Sequence, residues 1–183
     1  MFRREIVGDI RTWLPAGLAL CALLLPTGAL VFAATVIFSI LFIVVAINDY
    51  VTLRVPDEYS FGGIIATLIL IIGFAGRGLG TDARAMAIGA VLALAGLGAF
   101  HLVAKGGLGL GDVKLAPSLG AFIGLHTPAG SPLFNEMLAV FFVAAFIFVP
   151  WTLLLNWKRG LPWRSPSAFA PSLVVGTFAA GLF

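Results

Sequence analysis

Leu14 to Ile47 is a run of 34 residues without one charged side chain, and this run limits the possible folds more than any other feature. As one straight helix it would measure about 51 Å, well beyond the roughly 30 Å hydrocarbon core of a bilayer. The run therefore reads as a hairpin of two membrane helices. Pro26, Thr27 and Gly28 supply the break, because Pro removes a backbone donor and Gly tolerates turn dihedrals. With 61% apolar and 10% charged residues over 183 positions, the rest of the chain follows the same pattern. Spans are expected at about 14–27, 30–48, 60–75, 85–104, 113–125, 133–155 and 167–183. Polar breaks fall at Arg77 to Arg84, Lys105 to Lys114, His126 to Pro132 and Asn156 to Pro166. The expected fold class is all-α, a polytopic transmembrane bundle of six to seven spans in a single membrane domain. A large soluble domain and a disordered chain are both excluded.

The eleven Lys and Arg are scattered through short loops and form no basic tract, so the positive net charge reflects membrane topology and points to no nucleic-acid partner. If the spans alternate, one side receives Arg3, Arg4, Arg11, Arg54, Lys105, Lys114, Lys158, Arg159 and Arg164, and the other only Arg77 and Arg84. The positive-inside rule then places the N-terminus and the loops carrying the first set in the cytoplasm. The start of the chain lacks a small-residue cleavage site after its first apolar segment, so that segment is expected to be retained. The single cysteine, Cys21, excludes an internal disulfide and a CxxC metal site and reads as a small buried hydrophobe. His101 and His126 fall on opposite expected sides, which leaves no two-His metal site.

Two segments could carry chemistry. Asp49 ends a long apolar helix, where the helix dipole favours cations, so an acid there is oddly placed. Two readings stand for it: a stop residue solvated by headgroups, or a functional acid. Pro56 follows, and Asp57 and Glu58 open the next helix, where carboxylates suit the dipole and cap free amides. In the second segment, Gly106 to Leu115, Gly109 and Gly111 flank an acid that opens a new apolar helix, and Lys114 follows. GLGLGDVK lacks the GK[ST] ending of a phosphate-binding loop and follows a helix where a strand would be required. A tight turn with Asp112 as a cap is the alternative. Asp49 and Asp112 share one expected membrane face at the ends of helices that a small bundle can bring together. Two adjacent carboxylates holding one proton suit peptide hydrolysis, and acids within membranes are functional candidates by default. No G-x-S-x-G or HExxH competes.

At these residues the chain resembles a known family. GLGLGDVKLAPSLGAFIG is similar to the GxGD motif and following helix of type IV prepilin peptidases, bacterial membrane aspartic proteases. Asp49 with Pro56 looks like that family's first aspartate motif, and Ser167 to Leu173 resembles its late Pro-Phe-Gly-Pro-Phe-Leu stretch, with Ala170 in place of Gly. The likeness runs from about residue 30 to the end of the chain, leaving residues 1–29 as a tail and an extra apolar segment. It implies that Asp49 and Asp112 are the catalytic pair, with Gly109, Gly111, Lys114 and Pro56 in support. The substrate it implies is a prepilin or pseudopilin, cleaved of its short basic leader at the cytoplasmic face of the bacterial inner membrane. Neither cofactor nor metal is implied. Asp57 and Glu58 would favour the basic leader electrostatically. Long members carry paired CxxC motifs on an N-terminal domain linked to N-methylation. With one cysteine and about 13 residues before the first span, this chain is expected to be the short, peptidase-only form that serves Flp-like pilins.

Two rival classes make different demands on the sequence. Presenilin-like GxGD proteases place their first acid in a Tyr-Asp pair, whereas here Asp49 precedes Tyr50. A proton or cation transporter would prefer acids near the midplane of broken helices, and both acids here lie at helix ends. A structural assembly partner would need neither acid.

Overall fold

The computed structural model describes residues 10–103, 109–128, 131–158 and 169–180. Among these residues lie seven helices: α1 Ile10–Ala22, α2 Thr27–Thr52, α3 Asp57–Gly76, α4 Gly80–Val103, α5 Leu110–His126, α6 Leu133–Lys158 and α7 Ala170–Ala180. The expected all-helical membrane bundle is therefore present. Four helices, α2, α3, α4 and the Leu133–Trp151 part of α6, are long and apolar enough to cross a bilayer. The other three, α1, α5 and α7, are shorter.

The hairpin in the long apolar run is present, with its corner displaced from the expected position. Helix α1 stops at Ala22, and Pro26 takes the N-cap of α2 at φ −56°. Thr27 and Gly28 therefore already belong to α2. A proline in that place loses nothing by lacking an N–H, since the first amides of a helix have no partner within it. The break expected from Arg77 to Arg84 is also narrower. Arg77, Gly78 and Leu79 alone separate α3 from α4, with Gly78 at φ +78°, a left-handed turn that suits a residue without Cβ. The Arg77 guanidinium donates to the Leu25 carbonyl, tying this corner to the α1–α2 corner at the same end of the bundle. The expected breaks around Lys105 and Arg159 fall largely outside the described residues.

Helix α5 is the centre of the bundle: Leu115, Ala116 and every residue from Ser118 to Gly124 are buried. Its contact with α4 is close enough to bring backbone against backbone. A Cβ added at Gly120 would strike the Gly89 carbonyl, one added at Gly89 the Gly120 carbonyl, and one added at Gly124 the Ala85 carbonyl. Lipid tails are as apolar as side chains, so membrane helices associate through such close packing and not through exclusion of water. On another face, the Phe122 ring of α5 packs edge-on against Phe42 of α2 and Phe178 of α7, both at 5.6 Å between centroids. Pairs of this kind each contribute about 0.5–1.5 kcal/mol beyond area burial. Inside the bundle, the Thr67 hydroxyl donates to Ser118 at 3.2 Å, which satisfies two polar groups that lipid could not.

Helix α1 lies on α3, with the Thr12 carbonyl 2.5 Å from where a Gly62 Cβ would stand. Cys21 is exposed on α1, correcting its reading as buried; its small side chain faces out of the bundle. His126 bridges Thr35 of α2 at 3.1 Å and the Phe122 carbonyl at 2.8 Å, a connection within the fold. His101 lies in the last turn of α4, at the opposite end of the bundle.

Candidate functional site

The helices alternate in direction, so the C-terminal end of α2 meets the N-terminal ends of α3, α5 and α7. Asp49 and Asp112 stand there, 5% and 6% exposed, and each lies within reach of the other's charge. The two acids that the sequence separates by more than sixty positions are thus brought to one site. Few side chains as polar as Asp are buried to this degree unless paired.

Asp49 occupies the last turn of α2. Helix α2 ends just beyond it because Leu53 adopts the left-handed conformation, φ 54° and ψ 33°, with its N–H on the Asp49 carbonyl at 2.8 Å. A non-glycine residue in that region is uncommon, and here it turns the chain towards α3. The Asp49 carboxylate faces away from this turn. Its Oδ2 accepts the Ala170 N–H at 3.0 Å, and the Phe169 N–H is directed at the same group. These are among the unpaired amides that open α7, and a carboxylate is the group that a helix N-terminus holds best. The unfavourable end of α2 is thereby offset by the favourable end of α7.

Asp112 stands in the first turn of α5. Gly109 is the N-cap, at φ −62° and ψ 139°, with no side chain to cap the helix. The carboxylate folds back toward the Gly109 N–H, the reciprocal half of a capping box. The alternative reading of Asp112 as the N-cap itself is corrected to the third helical position. Its Oδ1 is buried and makes no hydrogen bond among the described residues, so one acceptor of this acid remains free.

Both motif glycines have steric work at this turn. A Cβ at Gly109 would come within 3.2 Å of Asp112 Oδ2, and one at Gly111 within 2.6 Å of Val55 Cβ. The turn that presents Asp112 is thus pressed against the residue before Pro56. Pro56 in turn is the N-cap of α3, extended at φ −64° and ψ 135°, which aims the new helix away from the site. Asp57 and Glu58 follow in its first turn. Lys114 Nζ lies 2.6 Å from Asp57 Oδ1, with side chains 33% and 43% exposed. A pair this open contributes about 0–1 kcal/mol to stability, so its interest is geometric. Glu58 makes no ion pair among the described residues.

Sequence reasoning missed three parts of this arrangement. The seat of Gly111 on Val55 and the left-handed Leu53 leave no mark in periodicity. The amides of Phe169 and Ala170 are backbone groups, and only the resemblance of that stretch to a late family motif drew notice to it. The α4–α5 contact, by contrast, had a readable signal in Ala85, Gly89 and Ala93 and in Ala116, Gly120 and Gly124, small residues at four-residue spacing.

No curated protein and no solved structure matched the chain. A profile of the type IV leader peptidase family matches residues 36–153. That stretch covers more than half of the chain and includes Asp49, Pro56, the glycine motif and Asp112. A polytopic helical bundle that carries this match over its central helices belongs to the type IV leader peptidase family and is a membrane peptidase of the prepilin-processing kind.

Proposed function

We propose that Asp49 and Asp112 form an aspartic dyad that removes the short basic leader of type IV, Flp-like prepilins or pseudopilins. The reaction takes place at the cytoplasmic face of the bacterial inner membrane. The observation that carries this reading is the meeting of two buried carboxylates, each within the other's field, inside the segment matched by the family. Close like charges favour one shared proton, and such a pair titrates as a unit. The ionised carboxylate takes a proton from water as the water oxygen bonds to the scissile carbonyl carbon. The neutral carboxyl gives its proton to the carbonyl oxygen, forming a tetrahedral diol. Collapse breaks the C–N bond as one diol hydroxyl returns its proton to the ionised carboxylate and the departing amine takes the proton of the other carboxyl, which leaves one proton on the dyad as at the start.

The basic leader and the acids at the start of α3 are complementary in charge. Glu58, half-buried and without an ion pair among the described residues, is the side chain best suited to meet it, while Asp57 already holds Lys114. The chain acts as one membrane domain, with residues 30–183 as the peptidase core and α1 as a brace on α3. Lipid surrounds the bundle, and the pilin's own apolar segment approaches through it.

Sidedness tests this reading. Inverted membrane vesicles carrying the peptidase are expected to remove the leader from an added detergent-free prepilin. Sealed right-side-out vesicles should do so only after permeabilisation. Equal cleavage by intact right-side-out vesicles would place the site on the other face and overturn the assignment.

A further inference from the structure

The hydrolytic step uses neither Lys114 nor Asp57, yet these two close a ring around it. We infer that Lys114 and Asp57 are positioning residues, a latch that holds the first turn of α5 against the α2–α3 corner and so sets the spacing of Asp49 and Asp112. This inference rests on those two acids being the catalytic pair.

Lys114 follows Asp112 by two positions on α5, and residues two apart on a helix do not face each other. Its ammonium is therefore turned away from the Asp112 carboxylate. It is also engaged elsewhere, 2.6 Å from Asp57 Oδ1 and 5.6 Å from the centroid of the Phe61 ring. Asp57 and Phe61 are four residues apart on α3 and share one face, so both contacts of the lysine lie on the same turn of the same helix.

The covalent path from Asp49 to Asp57 is short, running through left-handed Leu53 and the N-cap Pro56. Lys114 completes the circuit from Asp57 back to the helix that carries Asp112. The contact of Gly111 with Val55 lies inside the same circuit and fixes its closest approach. Van der Waals contact at Gly111 limits how near the α5 turn can come, but it cannot stop the turn from lifting away; an attractive contact is required for that. Lys114 with Asp57 is the charged contact placed to supply it. Because the two side chains are 33% and 43% exposed, either charge can be solvated when its partner is removed. The single variants should therefore fold and insert, with the acids less well aligned.

The test compares Asp57→Asn, Lys114→Gln and the reversed pair Asp57→Lys with Lys114→Asp, using purified full-length enzyme and prepilin. Each single change is expected to lower kcat about tenfold with KM nearly unchanged, since small misplacements of reacting groups cost rate. The reversed pair should recover most of that loss. An unchanged kcat in the single variants, a rise in KM alone, or a reversed pair no better than the singles would overturn the latch; a KM effect would instead make Lys114 a contact for substrate or lipid phosphate. A second readout needs no cleavage. With Cys21→Ser, Asp49→Cys and Asp112→Cys in one chain, a short bifunctional thiol reagent should join positions 49 and 112. Lys114→Gln should reduce the yield severalfold and the reversed pair restore it. An unchanged yield counts against the latch even if the proposed substrate proves wrong.

Discussion

Asp49→Asn and Asp112→Asn should each reduce leader cleavage by about 10³-fold or more, in protein that inserts and accumulates like the wild type. General acid–base groups contribute typically about 10²–10⁴-fold, and removing either member of a dyad removes the work of both. The two changes are therefore expected to be non-additive, with the double variant little slower than either single one. Asn is the informative substitution because it keeps the shape of Asp. At position 49 its side-chain oxygen can still accept the Ala170 N–H that now bonds Oδ2, and at position 112 it can still meet the N-cap amide of Gly109. If the carboxylates served only to cap α7 and α5, Asn would do nearly as well and cleavage would persist. Initial rates on a prepilin in detergent or vesicles, normalised to folded enzyme, separate the two cases. Retention of more than about a tenth of the activity by either variant would remove that residue from the chemistry.

The second large effect concerns the fold that holds the dyad. Gly120→Val is expected to destabilise the bundle by about 3 kcal/mol or more, at the upper end of overpacking penalties. The clash is with the Gly89 carbonyl and, at 2.7 Å, with Ala93 Cβ, so no flexible side chain can swing aside. Helices α4 and α5 would have to separate, and α5 carries Asp112. Gly28→Ala is the matching control. Nothing lies within 4 Å of a Cβ there, and Ala is the better helix former by about 1 kcal/mol, so that variant should be as stable as the wild type or slightly more so. Thermal unfolding in a mild detergent reads both. A wild-type midpoint for Gly120→Val would show that α4 and α5 do not depend on this backbone contact.

Much of this molecule was legible in its sequence, for reasons that also explain what was not. Long apolar runs and their breaks report on solvent, and the bilayer is a solvent with a fixed thickness, so the helix count followed. The ends of helices were less legible, because a proline or glycine marks a break without saying which side of it the turn occupies. Pro26 illustrates this: it is the last residue outside α2 and not the first of a three-residue break. Asp112 is a related case. Its side chain meets the turn as the third residue of the helix, while Gly109 takes the cap. Asp49 was singled out because an acid sits badly at the C-terminal end of a helix. The group that makes the position tolerable is the N-terminus of α7, 121 residues away in sequence, and no local pattern could announce it. Lys114 and Asp57 were each noticed separately; their pairing depends on the α3–α5 packing, which only the assembled bundle contains.

The most direct test of the central claim is the pH dependence of kcat/KM for leader cleavage by the wild-type enzyme. A pair of carboxyl groups working with one shared proton requires activity to fall on both sides of an optimum: at low pH when both are protonated, and at high pH when neither is. Two limbs, each corresponding to a single ionisation, are the expected result. A rate that changes in one direction only across the range in which the protein stays folded would show that one ionisation suffices, and that Asp49 and Asp112 do not act as a dyad.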